Sequence, residues 1–274
     1  MKVKKNIFGI LKYTGITLVA LLYLFPFLFL LLNSLKGKIE ILKEPLALPQ
    51  ALDFSNYARA AEQMNYFSSL KNSLIITVSG VVIITVFSSM LAYYLARIQT
   101  KLNKFIFYSL IVAMIIPFQA LMVPFVSIYG RLHLLNSRVA LVYFYLGFAV
   151  SLSTFMYHGF ISKLSIFLDE SAALEGASRF VVFWKIIFPQ LRPITATVVV
   201  LNVLWFWNDY LLPSLVLFKD NRTLPLATYS FFGQFTTEYG LAMAGLVLSI
   251  FPVIIFYLLM QKQIIGGITD GAVK

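Results

Sequence analysis

Asp209 is the acidic residue that stands well inside a long apolar stretch, within the run Trp207-Asn208-Asp209-Tyr210. A carboxylate at bilayer depth is expensive unless it faces a wet cavity or a partner, which makes it a candidate functional residue by default. Asn208 needs a partner as well, and Trp207 and Tyr210 combine flat apolar faces with polar handles. That combination suits a sugar, whose ring has apolar C–H faces and many hydroxyls. Three readings of the run stay open: it lines a solute pathway, it ties one helix to its neighbours through a structural network, or it anchors an interface. Gln119, beside Pro117, is the second candidate; it either lines an opening or bonds a neighbouring helix.

Covalent chemistry is not indicated. An enzyme needs a convergent set, such as paired carboxylates or a nucleophile with its base, and Asp209 alone does not supply one. No catalytic residue is assigned, and no cofactor. His133 and His158 lie far apart in sequence without a cluster of ligands, and there is no cysteine, so no metal is assigned either. The chain contains no G-x-x-x-x-G-K-[ST] phosphate loop, so any ATP-driven process would need a separate ATPase.

The elements that must position these residues are set by composition. Sixty per cent of the 274 residues are hydrophobic and only 12% are charged, with a mean hydropathy of +0.85. A soluble domain carries roughly 25% charged residues, so much of this surface must face lipid. The net charge of +11 is scattered between apolar runs rather than gathered in a basic, aromatic patch. It fits attraction to anionic membrane lipid and gives no sign of nucleic-acid binding.

Apolar runs at residues 10–32, 72–96, 105–127, 139–158, 194–216 and 240–260 each approach the roughly 20 residues that cross a bilayer as a helix. The expectation is an all-α polytopic membrane protein with six transmembrane helices in one domain over residues 1–274. Pro117, Gln119 and Pro124 mark the third run as the one open to kinking or unwinding. The first run lacks a small-residue cleavage site and reads as a retained anchor. With both termini placed in the cytoplasm, thirteen of the 22 Lys and Arg residues fall inside, a modest positive-inside bias.

The inner connection at 159–193 is the most patterned non-membrane sequence. Asp169 to Leu174 favour a short helix whose acidic residues complement the dipole at its start, with Ser165 placed to cap it. Gly176 permits a sharp turn or a close backbone contact. A second helical segment from Arg179 to Phe188 carries Phe180, Phe183, Trp184 and Ile187 on one stripe, and Pro189 and Pro193 bound it. Physics alone leaves two readings: an amphipathic connector, or a docking element that offers an acidic helix to a cytoplasmic partner.

Residues 170–177, ESAALEGA, resemble the EAA motif, EAAxxDGA, of the membrane subunits of ABC importers. Phe183, Ile186, Pro189 and Pro193 match that family's continuation toward the next membrane helix. Ser171 and Glu175 depart from the motif but keep size class or charge. Trp207 to Tyr210, Leu224-Pro225-Leu226 and the terminal Gln261–Lys274 bring the likeness closest to the second permease of maltose-type systems. The resemblance implies a type I ABC importer permease fold with a cytoplasmic coupling loop at 159–193, in a prokaryotic plasma (inner) membrane. It further implies that Glu170, Ala173, Glu175, Gly176 and Ala177 engage a dimeric cytoplasmic ATPase. A homologous second permease, an extracytoplasmic solute-binding protein and a sugar substrate are its other implied partners. A polyol or glycerol phosphate is the alternative substrate, and a self-powered secondary transporter the alternative class.

Overall fold

The computed structural model describes residues 2–232 and 238–272, with backbone alone for 2–11, 219 and 263–272. The described elements are helical, as the apolar runs predict. Four helices are long and apolar enough to cross a membrane: Lys12–Ser34, Tyr66–Arg97, Arg138–Ile161 and Tyr239–Lys262. Counting each sharply bent helix pair as one span brings the total to six. One bent pair, Lys101–Ala113 with Phe118–Arg131, covers the third predicted run; the other, Arg179–Gln190 with Arg192–Asn208, begins within the predicted 159–193 connection and takes in only part of the fifth run. The final residues of the terminal segment, Val273 and Lys274, lie outside the described residues.

The chain divides into two compact units, residues 1–67 with 227–252 and residues 68–226 with 253–274. The first holds α1 (Lys2–Ser34), α2 (Lys38–Lys43), α3 (Ser55–Gln63) and the start of the last long helix. None of the membrane-length window of α1 is buried. Just past its end, Lys36 is fully buried, and its ammonium donates to the carbonyls of Glu44 and Pro45 at 3.0 and 3.2 Å. Asn56 donates to the carbonyls of Ser34 and Lys36, both at 3.0 Å. These bonds satisfy carbonyls that a helix end leaves without intrahelical partners.

The second unit is built from α4 (Tyr66–Arg97, its first two residues in the first unit), α5 (Lys101–Ala113), α6 (Phe118–Arg131) and α7 (Arg138–Ile161). It continues through α8 (Phe167–Leu174), α9 (Arg179–Val182), a π turn at Phe183–Ile187, α10 (Phe188–Gln190), α11 (Arg192–Asn208) and α12 (Leu211–Val216). The short α13 (Leu224–Thr228) and the long α14 (Tyr239–Ala272) complete the order.

Two apolar clusters hold the second unit. Ile76, Ile84, Leu141, Tyr145, Phe206 and Val216 form one, from the early turns of α4 and α7 with the end of α11 and with α12. Ala92, Tyr157, Ile161, Phe183, Ile187 and Val198 form the other, from the late turns of α4 and α7 with the loop and the start of α11. Gly80 lets α4 close on α11: a Cβ there would stand 3.0 Å from the Phe206 ring. Asn202 donates to Ser153 Oγ at 3.1 Å and Tyr157 to Thr195 Oγ1 at 3.1 Å, so α7 and α11 also share polar ties.

The third run is not one span. α5 and α6 meet at 102°, because Pro117 has no N–H to donate to the preceding turn and biases Ile116 away from helix. The fifth run is also broken, against the expectation of a continuous helix over 194–216. α11 stops at Asn208 and α12 begins at Leu211. A further bend of 79° separates Arg179–Gln190 from Arg192–Asn208, where Pro189 and Pro193 interrupt the ladder.

The loop differs in two details from its sequence reading. Ser165 does not cap α8; Ile166 holds the cap position, and Ser165 Oγ accepts from Phe167 N at 3.3 Å in a local turn. The aromatic stripe is also incomplete. Phe183 and Ile187 are buried and Trp184 half-buried, but Phe180, on the short α9 ahead of the π turn, is 63% exposed.

Candidate functional site

The residues expected to engage an ATPase gather on one short element. α8 buries a single residue, Ala172, against the cluster of Tyr157, Val182 and Phe183. Glu170, Ser171, Ala173, Leu174 and Glu175 are exposed, Leu174 at 91%. Asp169 and Glu170 stand in the first turn, where negative charge complements the helix dipole.

Gly176 ends α8 at φ +82°. Its N–H donates to Ala173 O and the N–H of Ala177 to Ala172 O, both at 3.0 Å. That pair of bonds is a Schellman motif, which needs a residue in the left-handed region directly after the helix and is usually served by glycine. A Cβ at Gly176 would meet nothing within 4 Å. The glycine serves its backbone conformation and not close packing within this chain. Ala177 is half-buried and packs on the cluster that holds Ala172.

Sequence reasoning missed what orients α8. Arg97, the last residue of α4, forms an ion pair with Asp169 at 3.0 Å. Tyr93, one turn earlier, donates to Asp169 Oδ1 at 2.6 Å. The signal in sequence was a basic residue at the end of a membrane helix and an acidic one beside the motif, each with an adequate alternative explanation in solvation and topology. Beside the pair lies a cleft of about 440 Å³ lined by Tyr94, Arg97, Asp169, Glu170, Ala173 and Arg179, among others.

The second set of expected residues does not form one surface. Trp207 is buried, Asn208 exposed, and Asp209 and Tyr210 half-buried. Asn208 donates to its own helix at Leu204 O, 2.8 Å. Asp209 is not inside a helix: it takes ψ 128° at the end of α11. Its Oδ1 accepts from Leu211 N at 3.0 Å, the turn by which aspartate side chains replace helical bonding two residues on. Its Oδ2 accepts from Tyr145 Oη at 2.9 Å. Gln119 is exposed on the first turn of α6, at the other break. The two breaks thus hold the exposed polar side chains, and the structure does not bring Gln119 and Asp209 into one site.

A broken bundle with a short, exposed acidic helix outside its spans defines a polytopic membrane subunit. The chain belongs to the family of binding-protein-dependent transport system inner membrane components, whose model matches residues 84–268. It is 46% identical over 97% of its length, and 96% of the relative's, to a probable starch degradation products transport system permease protein of Thermoanaerobacterium thermosulfurigenes. It is 38% identical, over the full length of both, to a multiple sugar-binding transport system permease protein of Streptococcus mutans. A melibiose/raffinose/stachyose import permease protein of Bacillus subtilis shares 34% identity over 94% of each chain. The fold matches a chain of a bacterial ABC transporter involved in alginate import, with a TM-score of 0.78 over 94% of this chain and 96% of that one, at 23% identity.

Proposed function

We propose that this chain is the membrane permease of an ATP-driven importer for a sugar or oligosaccharide, and that α8 seats on a separate cytoplasmic ATPase. The whole chain acts as one permease domain, with residues 159–193 as its coupling loop. The observation that carries the coupling role is the presentation of α8. Ala172 and Leu168 seat the helix, a left-handed glycine ends it, and Glu170 and Glu175 are left open while Asp169 is paired. A connector that only joined two spans would have no need to turn Glu170 and Leu174 outward.

The substrate class rests on the relatives, whose names specify starch degradation products, multiple sugars and melibiose-type oligosaccharides. Uptake of labelled oligosaccharides by cells lacking and regaining this chain tests it. Oligosaccharide uptake that stays unchanged on deletion would reject the substrate class.

The pathway is completed by a homologous second permease. Non-helical backbone at membrane depth is tolerated only against protein or a wet cavity. Gln119 stands exposed just past the bend between α5 and α6, and Asn208 at the interruption between α11 and α12. Those faces therefore turn toward a partner or the solute passage, with Gln119 and Asn208 as pathway residues and Trp207, Asp209 and Tyr210 shaping the break behind them. An extracytoplasmic binding protein delivers the solute, a reading supported by the family's description as binding-protein-dependent. The chain sits in the inner membrane with both termini and α8 in the cytoplasm, which the Lys/Arg bias supports.

A further inference from the structure

We propose that Arg97 and Tyr93 are positioning residues that make α8 move with the membrane helix α4, by holding both oxygens of Asp169. The proposal rests on the reading of α8 as a docking helix and adds how docking reaches the bundle.

The geometry is specific. Arg97 Nε donates to Asp169 Oδ2 at 3.0 Å, and Nη2 stands 3.0 Å from the same oxygen. Tyr93 Oη donates to Asp169 Oδ1 at 2.6 Å. The rest of the guanidinium is used as well: Nη1 donates to Ile161 O and Leu164 O at 3.4 and 3.3 Å, and Nη2 to Ser165 O at 3.5 Å. One side chain thus ties the end of α4, the end of α7 and the start of α8. The two charged side chains are only 13% and 16% exposed, so solvent and salt weaken the pair far less than they would on an open surface.

Magnitudes decide what holds α8. Its apolar attachment is a narrow stripe, the buried Ala172 and the half-buried Leu168 one turn before it, which seats the helix but leaves it free to roll about that line. The carboxylate, gripped from two residues one turn apart on α4, fixes the angle. A load on the exposed face at Glu170 and Leu174 then turns α8 and α4 together. Without the grip, α8 still reaches its partner but rolls about the Leu168–Ala172 stripe and passes on little of the motion. Lysine cannot replace Arg97, because an ammonium is a point charge without the fork that reaches the carboxylate and three carbonyls together.

The test uses the full chain in nanodiscs with its co-purifying ATPase. The chain has no cysteine, so spin labels at Lys101→Cys and Phe167→Cys report the distance from the start of α5 to the start of α8. With Arg97→Ala, the expected results are a broadened distance distribution, retained ATPase and a roughly tenfold loss of solute moved per ATP hydrolysed, within the usual span of coupling energies. Arg97→Lys and Tyr93→Phe are expected to fall between this variant and the unaltered chain. An unchanged distance distribution, or a broadened one with unchanged solute per ATP, overturns the proposal. If Arg97→Ala does not accumulate, Tyr93→Phe and Asp169→Asn decide, and normal solute per ATP in both overturns it. The label distance does not depend on whether Glu170 contacts the ATPase, so failure of the docking reading is seen separately, in ATPase recovery with Glu170→Lys.

Discussion

Tyr145 holds Asp209 where α11 gives way to α12. Its phenol donates to Asp209 Oδ2 at 2.9 Å from a ring that is fully buried and stacked on Phe206, with centroids 4.3 Å apart. Tyr145→Phe keeps the stack and removes the bond. A hydrogen bond to a carboxylate contributes about 1.5–3 kcal/mol, and a stability loss of that order is expected in thermal unfolding. Asp209→Asn is expected to leave insertion intact and to lower uptake by loosening the break. The double variant should be little worse than Asp209→Asn alone, because both act through one bond. Additive losses would separate the two residues, and unchanged uptake by Asp209→Asn across solutes would remove that residue from the transport site.

Glycine positions make opposite predictions. A Cβ at Gly245 would come within 2.6 Å of the Phe231 ring and 3.2 Å of Met64 Sδ. Gly245→Val should therefore destabilise by about 1–3 kcal/mol through overpacking, seen as a lower melting temperature and reduced membrane level. A Cβ at Gly147 meets nothing within 4 Å, although the four-residue spacing to Ser151 reads in sequence as a packing face. Gly147→Ala should be neutral or stabilising by about 0.5–1 kcal/mol, as alanine replaces glycine within a helix. Equal melting shifts for the two would contradict this account of the glycines.

Orientation gives a third prediction. The chain lacks cysteine, so single introduced thiols are clean reporters. Leu52 is 62% exposed in the connection read as external, and Leu52→Cys should react with an impermeant maleimide in intact cells. Ser171→Cys should react only after the membrane is opened. External labelling at Ser171 would reject both the orientation and the cytoplasmic role of α8.

The span pattern was legible because about 20 apolar residues leave few other structures in lipid. The break at Pro117 was signalled as well, since proline removes a donor that no neighbour can replace. The break at Asp209–Tyr210 was not: Asp209 reads as one polar interruption, while its turn depends on a bond from Tyr145, 64 residues earlier. Gly176 was legible as a turn, and its Schellman bonds give the reason. Arg97 and Asp169 stand 72 residues apart, and no local pattern joins them; α7 runs parallel to α4, so the two helices end side by side and the loop after α7 starts beside Arg97. The stripe of Phe180 to Ile187 was legible in part: Phe183, Trp184 and Ile187 pack on one cluster, while Phe180, on the four-residue α9 ahead of the π turn, stays exposed.

The central claim is that α8 couples this permease to an ATPase, and it is tested most directly by recovering that ATPase with altered forms of the helix. Glu170→Lys reverses charge in the first turn, where a positive group opposes the dipole. Gly176→Leu forces a bulky residue to φ +82°, a strain of roughly 1–2 kcal/mol that unwinds the Schellman end. Both residues lie outside the spans, so membrane levels should stay near those of the unaltered chain. The measurement is the amount of ATPase co-purified through a tag on this chain in nanodiscs, together with solute-stimulated ATP hydrolysis. The expected result is a loss of both, larger for Glu170→Lys, at unchanged membrane level. Full ATPase recovery and full stimulated turnover in both variants would contradict the claim and leave residues 159–193 as a connector.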